Sequence, residues 1–212
     1  MRASFVHPLI RACKRLLDIV GASVGLLLSL PLFPLIALAI KLESPGPVFF
    51  QQMRIGRSWP THVELFQMIK FRSMRADAEA VSGPVWAQRN DPRITRVGNF
   101  LRKTRLDELP QFINVLRGEM SMIGPRPERP GITRSLEAQI PFFVERTYGV
   151  APGITGLAQV VNGYDETIND VRAKLGYDLA YSLTLTNPLQ WVLMELRIVW
   201  LTVQVMLFGR GR

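Results

Sequence analysis

The chain has 212 residues, with 26 Lys and Arg against 17 Asp and Glu, and a formal net charge of +9. Its hydrophobic content of 48% excludes an intrinsically disordered chain, and its 20% of charged residues excludes a multi-span transporter. A single cysteine, Cys13, excludes a disulfide framework, and the distant pair His7 and His62 argues against a histidine-built metal site. A basic, apolar chain of this kind suits either a polyphosphate partner or an anionic membrane surface.

An apolar segment covers residues 16–40, and its one charge is Asp18. As a straight helix it would exceed the roughly 30 Å hydrocarbon core, and it is too long for the apolar part of a signal peptide. Basic flanks draw both ends to the cytoplasm, and Pro31 and Pro34 bend a helix past its middle. Ser29 is placed to bond a freed carbonyl near the break. The spacing alone leaves two alternatives open, a re-entrant helix-break-helix and a membrane-spanning helix with a proline kink.

Two extended runs follow, at residues 48–55 and 63–71, and the turn residues between them predict a β-hairpin. Residues 75–80 have the pattern of a helix, which Ser82-Gly83-Pro84 then breaks.

A basic run at residues 89–105 carries six basic side chains and one acidic side chain. A solvated face is the ordinary interpretation of such a run, and nucleic-acid binding is the functional alternative. Its one aromatic residue, Phe100, provides no stacking platform for bases, and the sequence has neither zinc-finger spacing nor an RNP-type motif. We therefore expect no nucleic-acid partner.

The next segment, residues 104–118, predicts a helix that Thr104 caps and Gly118 ends, with apolar residues at helical spacing. Pro110 is tolerated only in a first turn, so the helix is expected to start just ahead of it. Asp107 and Glu108 then lie at a helix entrance. Complementation of the helix dipole is the structural alternative to a catalytic role for this acidic pair.

Two further loops have rigid backbones. In Gly-Pro-Arg-Pro, residues 124–127, prolines fix the chain beside Arg126, so that its guanidinium has a set direction that suits phosphate recognition. Pro-Gly-Ile-Thr-Gly, residues 152–156, predicts a turn whose amides approach an anion. The sequence contains neither a P-loop nor a GxGxxG motif, so no Walker ATPase or Rossmann cofactor site is predicted.

The C-terminal stretch, residues 189–208, is again long and apolar. Glu195 and Arg197 near its centre would each cost about 2.5–3.5 kcal/mol at mid-bilayer, whereas Trp191 and Trp200 suit an interfacial depth. We predict a helix at the membrane surface or packed on the first helix, and a second span is the minority alternative.

Four motifs, in this order, resemble the bacterial sugar transferase family of small monotopic phosphoglycosyl transferases. They are KFRSM at 70–74, NDPRITRVG at 90–98, LRKTRLDELPQFINVLRGEMSMIGPRP at 101–127 and PGITGLAQV at 152–160. The resemblance covers nearly the whole chain. It implies transfer of a sugar-1-phosphate from a UDP-sugar to polyprenyl (undecaprenyl) phosphate, with release of UMP and with Mg²⁺ required. That reaction initiates the assembly of surface polysaccharides or glycoconjugates.

The resemblance also implies roles for individual residues. Asp107 is expected to be the nucleophile that forms a covalent phosphosugar intermediate, and also a Mg²⁺ ligand. Glu108 is expected to assist, as a base for the lipid phosphate. The substrate phosphates are expected to bind four basic side chains: Lys70, Arg72, Arg102 and Arg126.

The family's membrane helix is re-entrant, with its break at a Ser-Pro pair, and this favours the re-entrant alternative. The chain has Leu30-Pro31 at that position, with Ser29 displaced by one. It also has Ala151 where an Arg is common and Leu157 where a Trp is common, which affects how the second loop holds phosphate or base.

We therefore expect a predominantly helical α+β fold in a monotopic membrane protein. Residues 1–45 form the re-entrant membrane helix, residues 46–187 a catalytic domain on the cytoplasmic face of the bacterial inner membrane, and residues 188–212 a membrane-surface helix. The expected partners are a UDP-sugar, polyprenyl phosphate and membrane lipid, and exposed apolar helices are compatible with a homodimer. The sequence does not identify the sugar. Two alternative functions stay open, a membrane-tethered nucleic-acid binder and a non-enzymatic adaptor of a glycan-assembly complex.

Overall fold

The computed structural model describes residues 5–78, 91–162 and 167–208. It confirms a predominantly helical α+β fold. In chain order the elements are helices α1 (Pro8–Ser29) and α2 (Leu32–Glu43), strands β1 (Phe49–Ser58) and β2 (Val63–Phe71), helix α3 (Arg96–Lys103), a first 3₁₀ helix (Leu106–Glu108), helix α4 (Gln111–Arg117), strand β3 (Ser121–Ile123), helix α5 (Pro130–Glu137), a second 3₁₀ helix (Phe143–Thr147), strand β4 (Gly153–Thr155), and helices α6 (Leu157–Asn162), α7 (Ile168–Thr184) and α8 (Pro188–Phe208).

The apolar N-terminal segment is broken between α1 and α2, whose axes differ by 61°. Pro31 lies at the break because it has no N–H to continue the α1 ladder. The Ser29 hydroxyl donates to the Leu26 carbonyl at 3.2 Å, which already accepts the Leu30 N–H. Ser29 therefore reinforces the last turn of α1 and does not bond a carbonyl that Pro31 frees. The expectation that Pro34 also bends the helix is wrong, because it lies in the first turn of α2, where its missing N–H costs nothing.

The first half of α1 is bound to the rest of the protein by polar contacts. The buried Asp18 carboxylate accepts from the Ser121 hydroxyl and the Met122 N–H, at 2.8 Å each. Arg15 donates to the carbonyls of Val115 and Leu116, in the last turn of α4, at 2.6 and 2.7 Å. The charges at the start of the apolar segment are therefore used for packing against the domain.

Helix α8 packs against α1, α6 and α7, and it is long and apolar enough to cross a membrane. Its acidic residue, Glu195, faces inward, where its Oε1 atom lies 2.9 Å from Lys14 Nζ. The same oxygen accepts from the Tyr181 hydroxyl at 2.7 Å and the Trp191 indole at 3.0 Å. Packing on the first helix is thus confirmed, and the carboxylate that would oppose insertion is neutralised by α1. Arg197 is exposed on the other side of α8.

The predicted β-hairpin is confirmed. Strands β1 and β2 pair antiparallel with Phe49 opposite Phe71, and the register shifts between Ile55 and Ser58. The inner face of β2 packs on α4, and the fully buried Asn114 accepts the Ile69 N–H at 3.0 Å. This contact fixes β2 against the segment that carries the acidic pair.

Two predicted local features are wrong. Thr104 does not begin a helix, since it follows the last residue of α3 and its hydroxyl donates to the Phe100 carbonyl at 2.9 Å. The segment instead divides at Pro110, whose ring has no N–H, into a 3₁₀ turn and α4. Gly118 ends α4 in a left-handed conformation, φ +81°, as expected. Of the helix predicted at 75–80, Arg75 is not helical and residues 76–78 form a turn, whereas residues 79–80 and the Ser82-Gly83-Pro84 break lie outside the described residues.

The loop predicted to approach an anion forms a strand instead. β4 pairs in parallel with β3, and the Gly153 N–H donates to the Pro125 carbonyl at 2.9 Å, so that amide has a partner within the protein. The backbones approach so closely that a Cβ atom at Gly153 or Gly156 would lie 2.1 Å from an atom of Gly124. Gly153 and Gly156 therefore have no room for a side chain where their backbone passes Gly124.

The Glu195 contacts predict unequal effects of two charge removals on α8. Glu195→Gln should lower the free energy of unfolding by about 2 kcal/mol, because it removes the charged acceptor that Lys14, Tyr181 and Trp191 share. Arg197→Gln, on the exposed side of the same helix, is the matched control and should change it by less than about 0.5 kcal/mol. Denaturant unfolding in detergent, followed by circular dichroism, measures both. Equal effects would contradict the assignment.

Candidate active site

The acidic pair lies in the elbow between α3 and α4. Arg105, which follows the end of α3, has a left-handed backbone with φ +60°, an uncommon conformation for a residue other than glycine. It turns the chain into the 3₁₀ helix that carries Asp107 and Glu108. The first turn of α4 has no acidic residue, whereas both carboxylates lie in the first turn of the preceding 3₁₀ helix, so dipole complementation stays an alternative to a catalytic role.

Glu108 is bound to cations. Its Oε1 atom lies 2.6 Å from Lys70 Nζ and 3.9 Å from Arg126 Nη2. Burial raises the pKa of Glu108, but the charges of Lys70 and Arg126 outweigh that effect and lower it to about 2. The carboxylate is therefore ionised at neutral pH and is a poor proton acceptor while Lys70 contacts it.

Asp107 has the opposite environment. Its side chain is buried, and burial raises its pKa, against the charge of Lys70 and reinforced by the charge of Glu108. In the part of the chain that the structure describes, no residue donates a hydrogen bond to its carboxylate. A desolvated carboxylate without a hydrogen-bond donor is the state expected of a nucleophile or of a ligand that awaits a cation.

Three predicted phosphate-binding residues lie around this pair. Lys70 extends from β2, Arg126 is half-exposed on the loop after β3, and Arg102 lies in the last turn of α3, where its charge lowers the pKa of Asp107. The elbow and the hairpin thus converge on one cationic site. The structure therefore groups Lys70, Arg102 and Arg126 with the acidic pair.

Arg72 lies apart from this group. It is buried, and its guanidinium donates to the carbonyls of Ser44, at 2.8 Å, and Pro45. It connects the end of α2 to the hairpin, and its binding to a substrate phosphate stays a prediction.

Sequence reasoning missed two buried cations behind the Arg126 loop. Arg54 donates to the Pro127 carbonyl at 3.1 Å, and burial lowers its pKa to about 10. Arg146 donates to the Arg126 carbonyl. Neither lies in a recognisable motif, and no local periodicity marks an arginine that meets a loop 20 or 73 residues away.

The site has few candidate ligands for Mg²⁺. Among the described residues, no group of three or more His, Cys, Asp or Glu side chains could hold a metal ion. Mg²⁺ often binds one or two carboxylates and completes its shell with substrate phosphates and water. Asp107, whose carboxylate accepts no hydrogen bond from the residues that the structure describes, fits that role, with Glu108 beside it.

The sequence profile of the bacterial sugar transferase family matches residues 9–209. The chain belongs to this family. It is 43% identical over 204 residues to a UDP-N-acetylgalactosamine-undecaprenyl-phosphate N-acetylgalactosaminephosphotransferase of Aeromonas hydrophila. The aligned region is 96% of the chain and 46% of that relative. The chain therefore spans about half the length of the Aeromonas protein.

Two other members of the family match over more of their own length. A UDP-glucose:undecaprenyl-phosphate glucose-1-phosphate transferase of Caulobacter vibrioides is 44% identical over 199 residues, 92% of the chain and 69% of that relative. An exopolysaccharide production protein PSS of Rhizobium leguminosarum bv. phaseoli is 40% identical over 195 residues, 90% of the chain and 92% of that relative.

The two environments predict opposite stability effects for neighbouring neutral substitutions. A raised pKa means that the folded state holds the proton of Asp107 more tightly than the unfolded state, so its charged form is a burden at neutral pH. Asp107→Asn should therefore raise the melting temperature at pH 7. Glu108→Gln should lower the melting temperature, because the ionised form of Glu108 is stabilised by cations. The expected loss of unfolding free energy is about 3 kcal/mol.

The pH dependence separates the two substitutions further. The loss caused by Glu108→Gln should shrink as the pH falls from about 5 toward 2, the range between the ordinary and the folded pKa of Glu108. Thermal scans of both variants at several pH values measure this. Destabilisation by both variants to a similar extent at pH 7 would show that their environments are alike.

Proposed function

We propose that the protein transfers a sugar-1-phosphate from a UDP-sugar to polyprenyl phosphate and releases UMP. The observation that carries this proposal is a desolvated Asp107 carboxylate beside a cation-bound Glu108, with Arg102 and Arg126 at the same site. Family membership supports the same reaction, since two relatives carry names of undecaprenyl-phosphate sugar transferases.

In the first step, an oxygen of Asp107 attacks the phosphorus that carries the sugar. The bond from that phosphorus to the bridging oxygen breaks, and UMP leaves with its electron pair. The enzyme keeps the sugar phosphate as a mixed anhydride with Asp107. Attack of one anion on another requires neutralisation of the pyrophosphate charge, which Arg102 and Arg126 supply.

In the second step, a phosphate oxygen of the polyprenyl phosphate attacks the same phosphorus. The bond from phosphorus to the Asp107 oxygen breaks, which restores the carboxylate and forms polyprenyl-diphosphate sugar. A phosphate monoester is already largely ionised at neutral pH, so its attack requires no strong base. We therefore assign Glu108 the task of holding Lys70 at the transferred phosphoryl group, in place of the proton acceptance expected from the sequence.

Mg²⁺ fits this site with Asp107 as a ligand and Glu108 as the neighbouring carboxylate. When bound, it would neutralise charge on the donor's two phosphates. The Lys70 ammonium stabilises the ionised form of both carboxylates, since its charge acts to lower the pKa of each.

The proposed membrane arrangement is re-entrant, with both ends of the α1–α2 pair on the cytoplasmic face. Both arms contact the same domain, α1 through Asp18, and α2 through Glu43, which accepts the N–H groups of Arg96 and Val97 at 2.7 and 2.9 Å. From Asp18 to the break at Leu30, α1 rises about 18 Å, less than the roughly 30 Å hydrocarbon core.

Exposed leucines support this depth. Around the break, both arms carry apolar side chains that are 40–76% exposed: Val24, Leu27, Leu28, Leu30, Leu32, Leu35 and Leu38. On α8 a second exposed apolar face includes Leu193, Leu196, Val199, Trp200 and Val203. Because Arg197 lies on the exposed side of α8, we propose that α8 lies along the headgroup region of the bacterial inner membrane.

A trapped intermediate tests the chemistry. The wild-type protein, incubated with Mg²⁺ and either UDP-glucose or UDP-N-acetylgalactosamine but without lipid, should gain the mass of the sugar phosphate and release UMP. Asp107→Asn should lose both, whereas Glu108→Gln should still form the adduct but should slow both its formation and its turnover with undecaprenyl phosphate by about 100-fold, because Lys70 is no longer held at the transferred phosphoryl group. Intact-protein mass spectrometry and UMP release measure these outcomes.

The result also separates the alternative functions. An adduct that persists in Asp107→Asn would place the nucleophile elsewhere. Full biological complementation by Asp107→Asn would favour a non-enzymatic adaptor, and salt-sensitive duplex DNA binding without UMP release would favour a nucleic-acid binder.

Cysteine labelling tests the topology. In a Cys13→Ser background, single cysteines at Phe5 and Pro45 should both react with a membrane-impermeant maleimide only after the cytoplasmic side is opened. A cysteine at Leu30, at the break, should react poorly from either side. Labelling of one end from the periplasm would contradict the re-entrant arrangement. Pro31→Leu should restore a continuous helix and shift some molecules toward spanning.

A further inference from the structure

The loop that carries Arg126 has an unusually complete set of backbone contacts. Four consecutive carbonyls each accept a hydrogen bond from outside the loop. The donors are Gly153 N to the Pro125 carbonyl at 2.9 Å, Arg146 Nη2 to that of Arg126, Arg54 Nη1 to that of Pro127 at 3.1 Å, and Ile55 N to that of Glu128 at 2.9 Å. The backbone of this loop is therefore fixed from strand β4, the second 3₁₀ helix and strand β1.

Arg146 is the donor that acts on Arg126 itself. Its guanidinium is buried, with Nη1 2.7 Å from Asp178 Oδ2 and with Nη2 on the Arg126 carbonyl and 3.9 Å from Glu128 Oε1. It also lies over the Phe143 ring, 4.6 Å from its centre. Because the side chain is only 7% exposed and both terminal nitrogens have partners, Arg146 does not reach a substrate directly.

We propose that Arg146, held by Asp178, is a positioning residue that sets the direction of the Arg126 side chain toward the donor's pyrophosphate. This inference rests on the proposed function. Prolines on both sides of Arg126 restrict its neighbours, but the orientation of its own peptide plane is fixed by the hydrogen bond to its carbonyl. That orientation determines where its side chain leaves the backbone, and Arg126 Nη2 lies 3.9 Å from the Glu108 carboxylate.

A planar guanidinium is needed for this task. Its two terminal nitrogens diverge, so one holds Asp178 while the other holds the carbonyl of Arg126. The single nitrogen of a lysine side chain preserves the charge beside Asp178 but cannot take both positions. Arg146→Lys therefore separates charge from positioning.

The test is a double-mutant cycle between Arg146→Lys and Arg126→Met. With UDP-glucose and UDP-N-acetylgalactosamine as donors, Arg146→Lys should raise the donor KM about tenfold and change kcat less than about threefold. An increase of this size corresponds to the loss of one charge-assisted contact. In the Arg126→Met background the same substitution should have no further effect on KM. Arg134→Lys, on the exposed end of α5, is the matched control and should leave KM unchanged.

A merely structural role for Arg146 would lower thermal stability and give KM effects that add in the two backgrounds, which would overturn the inference. If Arg146→Lys does not fold, Asp178→Asn replaces it in the cycle, since it keeps the shape and an acceptor oxygen and weakens the hold on Arg146. It should give a smaller increase in KM, again only when Arg126 is present. An unchanged KM in these variants would also overturn the inference.

Failure of the proposed function gives a different result. In that case the wild-type protein releases no UMP from either donor. The same double-mutant cycle is then measured on the dissociation constant of UMP in the presence of Mg²⁺. Additive effects of the two substitutions would overturn the inference, and so would a wild-type protein that does not bind UMP. UMP release by the wild-type protein with additive effects overturns only the role of Arg146.

Discussion

One ammonium group decides the electrostatics of the site. Two adjacent carboxylates cannot both be buried and ionised without compensating charge, and Lys70 supplies it at 2.6 Å from Glu108 while also acting on Asp107. The result is unequal: Glu108 is a firmly ionised group with a partner, and Asp107 is a desolvated group without a hydrogen-bond donor among the described residues. The hairpin, the elbow and the Arg126 loop all contribute one part of this arrangement.

The same constraint explains why the surroundings are rigid. A buried carboxylate with a raised pKa destabilises the folded state at neutral pH, so other contacts must hold the elbow in place. Asn114 fixes α4 to β2, and Glu43 caps the start of α3, whose other end turns through the left-handed Arg105 into the acidic pair. Helix α2 and the candidate nucleophile therefore lie at opposite ends of one short helix.

Local patterns predicted what local physics determines. Alternation and turn residues predicted the hairpin, and Gly118 predicted the end of α4. The motifs also directed attention to Lys70, Arg102 and Arg126, which the structure places around Asp107 and Glu108. Long-range pairing was not visible in the sequence. Lys14 belongs to the basic flank before the apolar segment, and that flank is predicted to favour the cytoplasm, but Lys14 binds Glu195, 181 residues away. No periodicity marks the contact of Arg146 with the Arg126 loop.

The position of the site relative to the lipid follows from the lengths of the elements. Glu43 ends the second arm of the proposed re-entrant pair, and α3, which it caps, has eight residues and is about 12 Å long. The polar headgroup region adds about 5–8 Å on each side of the hydrocarbon core. If α2 leaves the hydrocarbon near Glu43, Asp107 lies within one short helix of the headgroup plane. A lipid phosphate can then approach from the membrane while a water-soluble nucleotide sugar approaches the half-exposed Arg126 from the cytoplasm. A spanning helix anchored at one end would not fix that height, because only contacts from both arms hold the elbow at a constant distance from the bilayer.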